Sequence, residues 1–205
     1  SHQSNHPRMH PHLLKSVLCA VRNVARRKIR SSLRFTNNHF SRYTMKVRDI
    51  AAAIEEFAPL SLQESYDNAG LLDGNKDVIC TGIYVCFDIS ESVVDKAIES
   101  NCNLIVSHHP LVFRAMKRFT GKDNVTTTLL KAITNNIALY SAHTNLDAAN
   151  PGVNTILANK LGIRNIRPLC EDARTNEDGF FGIGGIGELE EATDLKEYLL
   201  HIKKA

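Results

Sequence analysis

Asn103-Leu104-Ile105-Val106-Ser107-His108-His109-Pro110 is the stretch that decides the fold. Its first five residues are an uncharged, aliphatic run of strand-like character, and the run stops at two adjacent imidazoles and a proline. Further along, Ile137-Ala138-Leu139-Tyr140-Ser141 repeats the pattern and leads into Ala142-His143-Thr144-Asn145-Leu146-Asp147. Three imidazoles and a carboxylate therefore stand just past the ends of two short strands. In an open α/β sheet that edge is where ligands gather. Imidazole nitrogen and carboxylate oxygen are also the donors that borderline divalent ions prefer.

Working outward, Val47, Ile50, Ala51, Ile54 and Phe57 recur at helical spacing, and Pro59 ends that helix. Residues 64–71 hold turn formers and a glycine, which implies a loop. Residues 78–87 are rich in β-branched and aromatic side chains and predict a strand. Ser90 is placed to cap a helix over 91–100, with Val93, Val94, Ala97 and Ile98 as its apolar face. The strand at 104–107, a basic loop, a helix over 125–135, the strand at 137–141, a loop carrying Asp147 and a helix over 153–161 follow. Gly162 closes the last helix. This alternation predicts an α/β fold, a mostly parallel sheet flanked by helices and joined by crossovers. After Pro168 the pattern weakens. The segment 179–187 is rich in glycine, but Gly182-Ile183-Gly184-Gly185-Ile186-Gly187 does not fit a nucleotide-binding G-x-G-x-x-G between strand and helix. One more helix is expected within 189–201.

Composition narrows the function classes. A chain of 205 residues can bury a substantial core, and no stretch approaches the ~20 apolar residues that span a bilayer. The net charge of +3 is unevenly placed. Residues 1–44 carry seven Arg, two Lys and no acid, so the remainder is mildly acidic and does not resemble a nucleic-acid-binding domain. That basic arm allows an amphipathic helix of the kind transit peptides use, and it is otherwise a leader upstream of Met45. The expected organisation is a leader over 1–44 and an α/β domain over 45–205. Five cysteines without a C-x-x-C pair suggest buried thiols in a reducing compartment, cytoplasmic or mitochondrial.

The candidate site residues each allow two roles. Neighbouring strand residues face opposite ways, so His108 and His109 share an ion only if the strand has already turned, which Pro110 favours. Either each serves a different ion of a pair, or one binds and the other orients. Asp147 is a metal ligand or shapes an Asx turn, and His143 is a ligand, a proton donor or a positioning partner. Arg114, Lys117 and Arg118 could hold an anionic substrate or form a solvated loop. Asp67 and Asn68 line a site or simply make a turn.

In these blocks the chain resembles the NIF-three-like proteins, also labelled GTP cyclohydrolase I type 2 homologues. Tyr66-Asp67-Asn68-Ala69-Gly70-Leu71, Ser107-His108-His109-Pro110, His143-Thr144-Asn145-Leu146-Asp147 and Gly185-Ile186-Gly187-Glu188-Leu189 look like that family's blocks in its order. The resemblance implies a NIF-three-like fold of two similar lobes around two divalent ions (Zn, Mn or Fe), and dimers assembled into a hexameric ring. It makes His108 and His109 ligands to separate ions, Asp147 a bridging or terminal ligand, and His143 a site-lining residue with a catalytic role. By their own chemistry, and not by the resemblance, Asp67, Asn68, Arg114 and Lys117 are the expected substrate contacts. The family completes its site with a His-x-x-x-Glu pair in the second lobe, whereas here only His201 follows Asp147. A half-set of ligands and a truncated second lobe are therefore expected. The implied activity is metal-dependent hydrolysis of a small nucleotide-like substrate. The rival expectation is a metal-stabilised scaffold or transcription-associated interaction protein without enzymatic activity.

Overall fold

The computed structural model describes residues 44–150, 152–171 and 182–204. All but the last residue of the basic arm, the cysteine within it and Gly179 of the glycine-rich run lie outside the described residues. The chain divides into two compact units: one is built from residues up to Phe57 with Tyr66–His143, the other from Ala58–Ser65 with Thr144 onward.

The first unit contains helix α1 (Val47–Phe57), strand β1 (Gly70–Asp73), strand β2 (Ile83–Cys86), helix α2 (Glu91–Glu99), strand β3 (Leu104–Ser107), helix α3 (Asn124–Thr134) and strand β4 (Ala138–Ser141). Its sheet has the order β1-β4-β3-β2. Strands β2, β3 and β4 are parallel, in the register Ile83↔Leu104↔Ala138, and β1 runs antiparallel along the β4 edge. The three parallel strands and their helices match the expected α/β order. β1 does not: its first two residues, Gly70 and Leu71, fall in the segment expected as a loop, and the strand over 78–87 shrinks to four residues plus a bridge from Ile79 to Lys46.

The core follows from strand parity. Ile105 and Leu139 point to one face, where they join Val94 and Ala97 of α2 and Leu129 and Ala132 of α3. Residues of opposite parity, Leu104, Val106, Ala138 and Tyr140, are equally buried. On that face the Tyr140 hydroxyl donates to Glu55 of α1. Both faces are thus covered, which explains why β3 and β4 read as continuous apolar runs.

The two crossover helices stop by the same device. Asn101 and Asn136 adopt left-handed backbone, φ 52° and 55°. The next amide in each case donates five residues back, Cys102 to Ala97 and Ile137 to Ala132. This is the six-to-one bond of a Schellman cap, with asparagine supplying the conformation that glycine usually provides. At its start α3 has a capping box: Asp123 accepts from the Thr126 amide at 2.8 Å, and the Thr126 side chain faces the Asp123 amide. Ser90 does occupy the N-cap position of α2, but its hydroxyl meets Ser92 at 3.0 Å and makes no capping bond.

The second unit contains a 3-10 turn (Leu60–Leu62), helix α4 (Thr144–Ala148), helix α5 (Val153–Lys160), strands β5 (Ile163–Arg167), β6 (Cys170–Glu171), β7 (Gly182–Ile183) and β8 (Ile186–Leu189), and helix α6 (Leu195–Lys204). β5 pairs with β8 and β6 with β7, both antiparallel. Asp147 therefore lies in a short helix, not a loop, because buried Thr144, Asn145, Leu146 and Ala148 fold around it. Asn145 anchors this helix, donating from its buried amide to the Ala58 carbonyl at 2.8 Å. Gly162 closes α5 at φ 72°, as its position implied. Among the described residues no helix is long and apolar enough to cross a membrane.

Candidate metal centre

β3 ends at Ser107 and β4 at Ser141, but the ladder continues for another step. The His108 amide donates to Cys86, the His109 amide to Phe87, and the Ala142 amide to Ser107. Just beneath, the Ser107 and Ser141 hydroxyls meet at 2.8 Å, and Ser107 donates to the His109 carbonyl at 2.8 Å. These bonds fix the main chain at the point where the imidazoles leave it.

Because the strand has ended, His108 and His109 do not diverge to opposite faces. Their ring centroids lie 5.0 Å apart, and His143 joins them at 5.3 Å from His108 and 5.5 Å from His109. One nitrogen from each ring falls within 4.8 Å of the others, so the three can hold a metal ion.

Each imidazole is turned by an oxygen at its Nδ1. For His108 this is the Ala142 carbonyl at 2.9 Å, deep in the structure where the residue is 8% exposed. For His109 it is the Asp88 carboxylate at 2.7 Å, at a solvent-facing edge. For His143 it is the Asp67 carboxylate at 2.7 Å, and the Asp67 side chain is completely buried. An acceptor at Nδ1 takes the ring proton, which makes Nε2 the coordinating atom. This is how metal-binding histidines are ordinarily held. The donor set, three imidazoles with oxygens behind them, fits a borderline divalent cation.

The nearby thiol is not part of this chemistry. Burial, reinforced by the charge of Asp88, pushes Cys86 up to about 12, so it stays protonated at neutral pH.

The other expected residues fall as follows. Asp67 braces His143, and Asn68 beside it donates to the Val112 carbonyl at 2.6 Å, tying this loop to the one after Pro110. Arg114, Lys117 and Arg118 are exposed on that second loop. Asp147 belongs to the second unit, where its carbonyl accepts from Asn154 at 2.9 Å. Sequence reasoning missed Asp88, Phe87 and Phe113. Phe87 and Asp88 follow β2 just as the histidines follow β3, so the same strand-end argument pointed to them. Phe113 carried no signal beyond its place before the basic run.

Residues 45–205 match the family model described as Duf34/NIF3 (NGG1p interacting factor 3). A GTP cyclohydrolase 1 type 2 homolog of Clostridium acetobutylicum is 38% identical over 162 residues, covering 79% of this chain and 60% of the relative. Among solved structures, a hypothetical protein of Staphylococcus aureus superposes with a TM-score of 0.70 at 29% identity, over 78% of this chain and 64% of that one. Reduced HcgD from Methanocaldococcus jannaschii gives 0.66 at 33% identity, over 78% and 60%. The chain spans about 60% of the length of the Clostridium relative.

Proposed function

The chain belongs to the Duf34/NIF3 family, and from that premise we propose that it binds divalent metal at His108 and His109 and acts as a metal-dependent hydrolase on a small nucleotide-like substrate. The observation that carries this reading is the grouping of three imidazole nitrogens within 4.8 Å, each ring turned by an oxygen at Nδ1. The family resemblance supports a pair of ions, with Asp147 as a further ligand. When bound, such ions polarise the substrate and activate water at neutral pH. The protein's own groups do the rest. Asp67 holds His143 in one orientation, so that its Nε2 stands beside those of the paired histidines as a third ligand. Arg114 and Lys117 hold the anionic part of the substrate, and Asn68 keeps their loop beside His143.

Metal analysis of the purified chain, followed by titration of His108→Ala and Asp147→Ala, tests the reading. Each substitution is expected to reduce occupancy. Full occupancy in both variants would overturn the metal assignment. For the chemistry, incubation with GTP and Mn²⁺ or Zn²⁺ should yield a ring-opened product that fluoresces after oxidation. Absence of signal favours the second reading, a metal-stabilised scaffold or transcription-associated partner. That reading is supported by the family's description as an interacting factor. Under either reading the chain assembles with itself, as a ring of dimers, which sedimentation measures directly. Import into isolated mitochondria with cleavage near Thr44 discriminates a mitochondrial from a cytoplasmic location.

A further inference from the structure

The three imidazoles do not end the aromatic array. Phe87 lies 4.4 Å from His109 and 5.1 Å from His108, and Phe113 lies 6.2 Å from His143. Five rings are thus in contact, imidazoles in the middle and phenylalanines at the ends. Both phenylalanines are open to solvent, Phe87 at 43% and Phe113 at 42%. A large apolar ring left exposed beside a polar centre stands where a ligand would cover it.

Phe113 is the more informative of the two. Its plane makes 90° with that of His143, so the rings do not stack on one another. A flat ligand lying on Phe113 would therefore stand perpendicular to the imidazole plane, as Phe113 itself does, beside the ring nitrogens of His143. The position is fixed by a continuous series of hydrogen bonds. His143 Nδ1 faces Asp67 Oδ1, the same oxygen accepts from the Asn68 amide at 2.7 Å, and the Asn68 side chain donates to the carbonyl of Val112, the residue before Phe113. On the same loop stand Arg114, Lys117 and Arg118, exposed and without an ion-pair partner among the described residues.

We infer that Phe113 is a specificity-determining residue of this site: it is the platform for a planar heteroaromatic ring, and Arg114 and Lys117 take the anion attached to that ring. The ligand class is an aromatic-base monophosphate, as distinct from a sugar phosphate lacking the base. This inference deepens the reading of the imidazole cluster as a site and rests on it. The rival explanation of the exposed ring, a protein–protein contact, predicts that Phe113→Leu changes sedimentation while the ligand preference stays intact.

Calorimetric titration of the whole chain with AMP and with ribose 5-phosphate tests it, with metal content measured on the same samples. The unaltered protein is expected to bind AMP about tenfold more tightly, the scale of one base–aromatic stack. Phe113→Leu should erase that preference while leaving ribose 5-phosphate and metal content unchanged, and Phe113→Tyr should restore it. Arg114→Ala should weaken both ligands. Three results overturn the inference: no preference in the unaltered protein, an equal loss of both ligands in Phe113→Leu, or a change of sedimentation in Phe113→Leu with the preference intact. Failure of the metal reading would register separately, as empty samples in which the AMP preference and its dependence on Phe113 are still measured.

Discussion

Replacing Asp67 by alanine tests the assembly of the centre most directly. The Asp67 side chain is fully buried, that of His143 is 17% exposed, and they meet at 2.7 Å. A hydrogen bond to a charged group contributes about 1.5–3 kcal/mol to stability. Burying a carboxylate has its own desolvation cost, which the substitution removes, so the net loss belongs near the lower end, about 2 kcal/mol. For a chain of this size that corresponds to a fall in Tm of about 4–8 °C. Losing the group that orients a ligand histidine lowers metal affinity by about 10–100-fold. Asp67→Asn keeps an oxygen in the same place without its charge and should recover part of both losses. Thermal melts and calorimetric titration with Zn²⁺ or Mn²⁺ on the three proteins read the two effects together. A folded Asp67→Ala protein that binds metal within about twofold of the parent would refute the role given to this contact.

Other expectations follow from the same framework. Gly74 sits at φ 101°, and an added Cβ would lie 2.6 Å from the Ala138 main chain, so Gly74→Ala should cost more than about 2 kcal/mol in denaturant unfolding. Ser107→Ala or Ser141→Ala alone should cost about 1–2 kcal/mol, because each leaves the other buried hydroxyl with one partner fewer; the double variant should cost less than the sum, by a double-mutant cycle. Burial, and after it the charge of Asp88, pushes the Cys86 thiol up from an ordinary 9.0 to about 12. A raised value means the neutral thiol's contribution is complete below pH 9 and is lost as pH climbs toward 12. The unfolding free energy should therefore decline above pH 9, and Cys86→Ala should flatten that decline relative to the parent.

The parallel core was legible because β3 and β4 are buried on both faces, leaving aliphatic runs that need no periodicity to be noticed. β1 was not, because Gly70-Leu71-Leu72-Asp73 is short and follows Asp67-Asn68, and only its pairing with Ser141 and Tyr140 makes it a strand. β5 to β8 escaped for a related reason. They form two-stranded ribbons whose arginines, asparagine and glycines carry no strand pattern, and their structure comes from each other. Within the site, adjacency revealed His108 and His109, and the repeated strand-end pattern revealed His143. The partnership of Asp67 with His143 spans 76 residues and depends on how β1 lies against β4. No local signal encodes it. Asp88 differs: it sits at the same edge by the same rule and was within reach.

The placement of β1 has a consequence in time. A ribosome adds about 5–20 residues per second, so Asp67 emerges roughly 4–15 s before the histidine it will face, 76 residues later. During that interval the sheet can grow through β2 and β3 and present His108 and His109, but the edge onto which β1 docks has yet to be made. The acid waits in the nascent chain as an ordinary hydrated carboxylate and becomes a buried one only when β4 arrives. Completion of the centre is thereby tied to one late event in synthesis. A chain released before Ser141 would carry the paired histidines and lack both the third imidazole and the strand that locks its partner in place.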